Sequence, residues 1–299
     1  ILVASKKNIG KKVTFKTKKI KIVGIQEAID KVPEIAIFCA GSEVSNKWAQ
    51  KFVESGTSVI DNSSFFRMEE NIPLIVPEVN GNVLKKSNKI IANPNCSTIQ
   101  MVVALNDIYK KFGLKRLVIS TYQSVSGTGQ AAVKQMMDER QGLEPERVYP
   151  YQIDQNCFPH GGDFLENGYT TEELKLINET RKIFNDSSIK ITATVVRIPV
   201  VGGHSESINV ETHKPFQIEE IKKTLSDTAG VKVQDNPSKF DYPMPITAHK
   251  KNDVFVGRIR KDETVENGLN IWIVADNLRK GAATNAVQIA DYIFKKNLL

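Results

Sequence analysis

The residue of greatest chemical promise is Cys96, in the run Asn93-Pro94-Asn95-Cys96-Ser97-Thr98. An apolar run, Lys89-Ile90-Ile91-Ala92, reads as a strand leading into it, and Ile99 to Phe112 reads as a helix leading out. Cys96 is therefore expected at or beside a helix N-terminus, where unpaired N–H groups and the positive end of the macrodipole converge. Such a setting stabilises a thiolate, the form of cysteine that attacks a carbonyl carbon. The alternative is a small residue packed inertly at a turn.

His204 follows Val200-Val201-Gly202-Gly203 and starts a strand; the paired glycines would let the backbone approach a ligand closely. A histidine is the usual base partner of a thiolate, and the other three (His160, His213, His249) lack a comparable setting. Arg67 lies beyond the Ile60-Asp61-Asn62-Ser63-Ser64 turn, and Arg197 closes a strand seven residues before His204. Two arginines near strand ends could hold two anionic groups, although each alone reads equally as a solvated side chain. Glu172 and Lys175 share a helix face, by default as a surface ion pair. Ser126-Gly127-Thr128-Gly129 opens a helix and could cradle phosphate or nicotinamide atoms. No GxGxxG, HExxH, paired CxxC or Walker sequence occurs, so a metal or P-loop mechanism has no support.

These residues need a scaffold. Up to Cys96 the chain alternates strands (1–4, 13–15, 20–23, 35–41 running into its Gly turn, 58–61, 73–76) with helical pieces (25–29, 44–53), the pattern of a parallel α/β sheet that binds ligands at its strand ends. Asn95 is a good N-cap for the helix after it, and Gly113 a plausible stop. Beyond it, strands are predicted over 116–123, 189–198, 205–211, 254–260 and 269–274, and helices over 130–139, 171–184, 218–225 and 280–294. Long strands with few helices between them predict a mostly antiparallel sheet, hence an α+β second domain. Residues 145–168, rich in Pro, Gly and Asn, read as an irregular loop.

The 299 residues suit two domains, and the composition (40% hydrophobic, 25% charged) is that of an ordinary globular protein. No stretch approaches a membrane span and no signal peptide is visible. Three cysteines cannot all pair, which points to a reducing cytoplasm. The net charge of +7 comes from dispersed lysines without aromatic interleaving, which argues against nucleic acid and fits an anionic small molecule.

Together, Asn93 to Thr98, Ser124 to Gly129, RIPVVGGHSESINVE (197–211), YPMPITAHKKNDVFVGRIR (242–260) and Asn277 to Ala283 resemble the aspartate-semialdehyde dehydrogenase family, nearest its bacterial type, over essentially the whole chain. The resemblance implies a Rossmann-like cofactor domain (1–95 and 277–299) and an α+β catalytic and dimerisation domain (96–276). It also implies that the family's first strand and GATGxVG loop, about thirty residues, precede Ile1. A chain without them would bind NADP weakly or not at all. Carried onto this sequence, the family's roles make Cys96 the nucleophile, His204 the general acid/base and Gln123 the group orienting the intermediate. Arg197 and Glu172 hold the substrate's carboxylate and amino group, and Arg67, Asn95 and Lys175 bind inorganic phosphate. Ser126, Gly127 and Asn277 line the NADP site, with Ser5, Lys7 and Asn8 at the ribose 2′-phosphate, where the family more often has Arg-Ser. No metal is implied. The reaction is reversible conversion of aspartyl 4-phosphate to aspartate 4-semialdehyde through a cysteine thioester, in a cytoplasmic homodimer, toward lysine, methionine and threonine. The alternatives are another phosphorylating semialdehyde dehydrogenase, such as N-acetyl-glutamyl-phosphate reductase, or an inactive dimerising fragment.

Overall fold

The computed structural model describes residues 1–299. The chain divides into two compact units: Ile1–Pro73, Val83–Ala92 and Ala290–Leu299 form the first, and Leu74–Asn82 with Asn93–Ile289 the second. Compared with the expected division, Leu74–Asn82 and residues 93–95 go with the second unit, and of residues 277–299 only the last ten go with the first.

In the first unit, β1 (Leu2–Val3), β2 (Lys12–Phe15) and β3 (Lys18–Val23) form a small sheet. β1 runs parallel to β3, while β2 and β3 make an antiparallel hairpin where strand–helix alternation predicts only parallel strands. Then come α1 (Ile25–Asp30), β4 (Ile35–Phe38), α2 (Ser42–Glu54), β5 (Ser58–Asp61) and β6 (Ile90–Ala92). β4, β5 and β6 pair in parallel in that order, the Rossmann-like part of the fold. Its core includes Val23, Ile29, Phe38, Phe52 and Val59, with the Phe38 and Phe52 rings edge to face at 5.3 Å.

Residues 73–76 are not the predicted strand. Proline at 73 and at 77 removes two ladder donors. The backbone groups between them are taken by a side chain instead: Val76 N–H donates to Asn80 Oδ1 at 2.9 Å, and Asn80 Nδ2 donates to the Leu74 carbonyl at 2.9 Å.

The second unit contains α3 (Pro77–Asn80), α4 (Cys96–Phe112), β7 (Arg116–Gln123), α5 (Gln130–Arg140), α6 (Thr171–Phe184), β8 (Lys190–Arg197) and β9 (His204–Glu211). It continues with α7 (Ile218–Asp227), β10 (Val231–Val233), α8 (Pro245–Ala248), β11 (Val254–Asp262), β12 (Gly268–Ala275) and α9 (Thr284–Lys295), whose last residues belong to the first unit. The sheet order is β10-β11-β12-β9-β7-β8, with parallel pairs only at its two edges. One face, carrying Leu117, Ile119, Ile208, Val210, Ile271 and Ile273, is buried under α4, α6 and α7. The opposite face, with Val118, Tyr122, Val196 and Trp272, is only partly covered. The last helix differs from expectation: residues 279–283 form a π-helical turn before α9 begins, because Lys280 turns inward.

Asn80→Leu leaves the Val76 N–H and Leu74 carbonyl unsatisfied in the interior, and should cost about 1–3 kcal/mol in denaturant unfolding. An unchanged midpoint would contradict this account of residues 73–76.

Candidate active site

Cys96 is the first residue of α4 and is half-buried. Asn95 caps the helix as predicted, its Oδ1 accepting from the N–H groups of Ser97 (3.0 Å) and Thr98 (3.4 Å). Its other polar groups point into α6. Asn95 N–H donates to Glu179 Oε2 at 2.6 Å, and Asn95 Nδ2 donates to Glu172 Oε1 at 2.5 Å. Lys175 Nζ donates to the second oxygen of Glu172 at 2.7 Å. Asn95, Glu172 and Lys175 therefore form one connected polar chain beside the cysteine, rather than a solvated surface pair. α6 is fixed there by a capping box between Thr170 and Glu173, whose Oε1 also accepts from Val195 N–H on β8 at 3.0 Å.

The sheet supplies the rest. Gln123 ends β7 opposite Arg197, which ends β8; Tyr122 pairs with Ser205, and His204 with Ala275, the last residue of β12. Gln123 Nε2 donates to the hydroxyl of Ser97 at 3.1 Å, tying the sheet end to the residue after Cys96. Gln100, one turn along α4, donates to the His204 carbonyl at 3.3 Å. Asn277, just past β12, accepts at Oδ1 from Gly203 N–H (3.0 Å) and the Ser124 hydroxyl (3.0 Å), and its Nδ2 donates to Ser126 Oγ (3.0 Å).

His204 is fully buried. Its Nδ1 receives the backbone N–H of Ser124 at 3.0 Å, while Nε2 has no hydrogen-bond partner within the protein. Burial, and after it the Arg197 cation, hold its pKa well below the ordinary histidine value, so the ring is neutral. Arg197 Nη1 donates to the Ser124 carbonyl at 3.0 Å and Nε makes no bond; the guanidinium lies 5.8 Å from the Tyr149 ring centroid. Gly127 closes this corner. A Cβ there would come within 3.1 Å of His204 Nε2 and 3.4 Å of Arg197 Nη1, so glycine keeps the space in front of both clear. Buried donors with unmet hydrogen bonds beside a fixed cation are suited to a carbonyl oxygen and a carboxylate.

Arg67, Ser5, Lys7 and Asn8 lie in the first unit. Arg67 is buried, and its Nη2 donates to the Asn62 carbonyl at 2.9 Å in a loop held by Asp61, which accepts from Ser45 and Ser63. Ser5, Lys7 and Asn8 sit on the single 3-10 turn after β1, with Ser5 and Lys7 exposed and Asn8 accepting from Lys11 Nζ at 2.8 Å. Hydroxyl, ammonium and amide at the carboxyl end of a parallel strand suit an anionic phosphate. No cluster of three His, Cys, Asp or Glu side chains could hold a metal, and no helix is long and apolar enough to cross a membrane.

Four residues escaped the sequence reading. Ser124 orients His204, and Tyr149 backs Arg197. Glu206, two residues along β9 from His204, is buried against Ser97 and Gln100, and burial pushes its carboxyl well above the usual range. Lys280, 1% exposed, donates to both oxygens of Glu78 (2.8 Å each), to Asn285 Oδ1 (3.0 Å) and to Gln288 Oε1 (2.7 Å). This cage anchors the π-helical turn whose next residue, Gly281, packs on the cysteine; a Cβ there would lie 2.9 Å from Cys96 Cβ. A lysine in a sequence reads as surface, so only the Asn277-to-Ala283 run hinted at it. Lys280→Met would leave the half-buried Glu78 without its cation and Asn285 and Gln288 without their donor, an expected loss of about 3 kcal/mol. Lys280→Met/Glu78→Leu should recover most of it, and no recovery in denaturant titrations would show that the pair is not the cause.

Comparison with known proteins gives a concordant result. Residues 1–87 match the family described as semialdehyde dehydrogenase, NAD binding domain, and residues 105–280 match semialdehyde dehydrogenase, dimerisation domain. The chain is 51% identical to the aspartate-semialdehyde dehydrogenase of Aquifex aeolicus, spanning all of this chain and 91% of that protein. It is 48% identical to the one from Bacillus subtilis, over all of this chain and 90% of the relative. The crystal structure of aspartate semialdehyde dehydrogenase II from Vibrio cholerae superimposes with a TM-score of 0.93 at 44% identity, covering 98% of this chain and 89% of that one. With the fold, the site and the full-length similarity in agreement, the chain belongs to the aspartate-semialdehyde dehydrogenase family.

Proposed function

We propose that this protein interconverts aspartyl 4-phosphate and aspartate 4-semialdehyde plus phosphate in amino-acid biosynthesis, through a thioester on Cys96. The observation that carries the reading is the buried His204 Nε2, without a protein partner, at the sheet end that Gln123 ties to Ser97, the residue after Cys96. In the biosynthetic direction the Cys96 thiolate attacks the acyl carbon and phosphate leaves. His204 serves the reacting oxygen as the acid–base partner, and Gln123 orients the acyl group. Arg197, held flat by Tyr149 and the Ser124 carbonyl, takes the substrate carboxylate, and Glu172 its ammonium. That choice favours a free amino acid over the N-acetylated substrate of a related reductase, because Glu172 has a positive group to meet. Asn95, Lys175 and Arg67 are assigned to phosphate.

A nicotinamide cofactor fits these residues, and when bound it supplies or accepts hydride at the acyl carbon. Ser126, Gly127 and Asn277 would line its reactive ring. Ser5, Lys7 and Asn8 would hold an adenosine ribose phosphate, which is the reason to prefer NADP over NAD. We assign the cofactor to the first unit, and catalysis and dimerisation to the second. The partly covered sheet face, where the Tyr122 and Trp272 rings lie 5.5 Å apart, is assigned to a homodimer contact.

Cys96→Ser should lower turnover of aspartyl phosphate by at least about 10⁴-fold, since the hydroxyl remains protonated where the thiol ionises; near-normal turnover would remove the assignment. Trp272→Glu should convert a dimer to a monomer in light scattering, whereas an unchanged mass would place the contact elsewhere.

A further inference from the structure

Resting on the reading just given, we propose that Glu206 is a positioning residue for the acyl-transfer step: its carboxyl accepts the hydrogen bond of the Ser97 hydroxyl and thereby fixes which way the Gln123 amide faces. The buried face of the large sheet is apolar along most of its length, with Leu117 and Ile119 on β7, Ile208 and Val210 on β9, and Ile271 and Ile273 on β12. Toward the site it turns polar in two successive layers. In the inner layer Thr121 of β7 pairs with Glu206 of β9, which pairs on its other side with Ile273. Gln123 and His204, each two residues nearer the sheet's end and so on the same face, make the outer layer.

Glu206 is fully buried in the middle of the sheet, and no lysine or arginine offsets its burial. An isoleucine would continue the core at that position, whereas a carboxyl without a cation is costly there. What the carboxyl meets is the first turn of α4. The polar groups facing it are Ser97 and Gln100, although neither of its oxygens makes a hydrogen bond of good geometry. Gln100 uses its Nε2 on the His204 carbonyl, which leaves Ser97 as the group whose proton needs an acceptor.

The direction of the bonds follows from their donors. Ser97 Oγ already accepts from Gln123 Nε2 at 3.1 Å, so the hydroxyl's own proton points away from Gln123 and has Glu206 as its acceptor. The chain runs one way: Gln123 N–H to the Ser97 oxygen, then Ser97 O–H to Glu206. A carboxyl keeps an accepting oxygen whether or not it carries a proton, so this direction does not depend on its charge. Without Glu206 the Ser97 hydroxyl is free to turn and donate to Gln123 Oε1. The amide can then rotate by half a turn, and it exchanges N–H for C=O on the side it offers to the acyl group. The same contact steadies Ser97 itself, the residue after Cys96 in the first turn of the helix. Glu206 thus acts through Ser97 and Gln123 without touching the reacting atoms.

The test is a set of substitutions in the full chain. Glu206→Leu removes the acceptor at similar volume and should lower kcat for aspartyl phosphate by about 10–100-fold, with KM little changed. Its denaturation midpoint should not fall, because an apolar side chain replaces a buried carboxyl that has no cation. Glu206→Gln keeps an accepting oxygen for Ser97 and should retain most of the turnover. A cycle with Gln123→Ala separates positioning from packing: once the amide is gone, Glu206→Leu should cost less than about twofold more, whereas independent effects multiply. Wild-type turnover in the leucine variant, a glutamine variant as slow as the leucine one, multiplied losses in the cycle, or a loss of turnover that tracks a loss of stability would each overturn the proposal. A phosphate burst from aspartyl phosphate without cofactor distinguishes the two levels. Its absence in the wild type refutes the thioester reading and leaves no acyl group for Gln123 to orient. A burst together with normal turnover in Glu206→Leu refutes the positioning role alone.

Discussion

One constraint shapes the site. β7 lies between a parallel neighbour, β8, and an antiparallel one, β9, which pairs in turn with β12. The ends of β7, β8 and β12 and the start of β9 must then meet at one edge of the sheet. Gln123, Arg197, Asn277 and His204 are brought together by that pairing although up to 154 positions separate them in sequence. A register slip of one residue on any of these strands would turn its functional side chain to the opposite face. The alternation of buried and part-buried residues along β7 is what forbids the slip.

Around this edge the polar groups form a layered support. Asn277 gathers the Gly203 N–H and the Ser124 hydroxyl, and Ser124 in turn holds His204 through its N–H and Arg197 through its carbonyl. On the other side Asn95 caps the cysteine's helix and passes through Glu172 to Lys175. Beneath it, the Lys280 cage secures the turn against which Cys96 packs. Such networks lock side-chain positions before substrate arrives, so little reorganisation is left for the reaction.

The sequence made some of this legible and hid the rest for identifiable reasons. β7 was readable to the residue from the β-branched content of Arg116 to Gln123, although its alternation of buried and part-buried residues is not an alternation of apolar and polar types. Cys96 and its helix were readable from the Asn95 cap, and His204 from its glycine pair and the scarcity of histidines. Residues 73–76 misled because a buried apolar run has the same composition whether it pairs as a strand or is bridged by the side chain of a nearby asparagine, Asn80. Lys280 misled because burial of an ammonium depends on acceptors contributed by Glu78, 202 positions away, and by α9. Ser124 gave no signal because its part is played by the backbone, and every residue but proline carries that N–H.

The central claim is that Cys96 carries the acyl group. Intact-protein and peptide mass spectrometry of the chain mixed with aspartyl phosphate, without cofactor and quenched in acid, tests this directly. The account predicts one aspartyl adduct per chain, mapped to the peptide containing Cys96 and removed by neutral hydroxylamine. An unmodified chain, or an adduct on Cys39 or Cys157 instead, would contradict it.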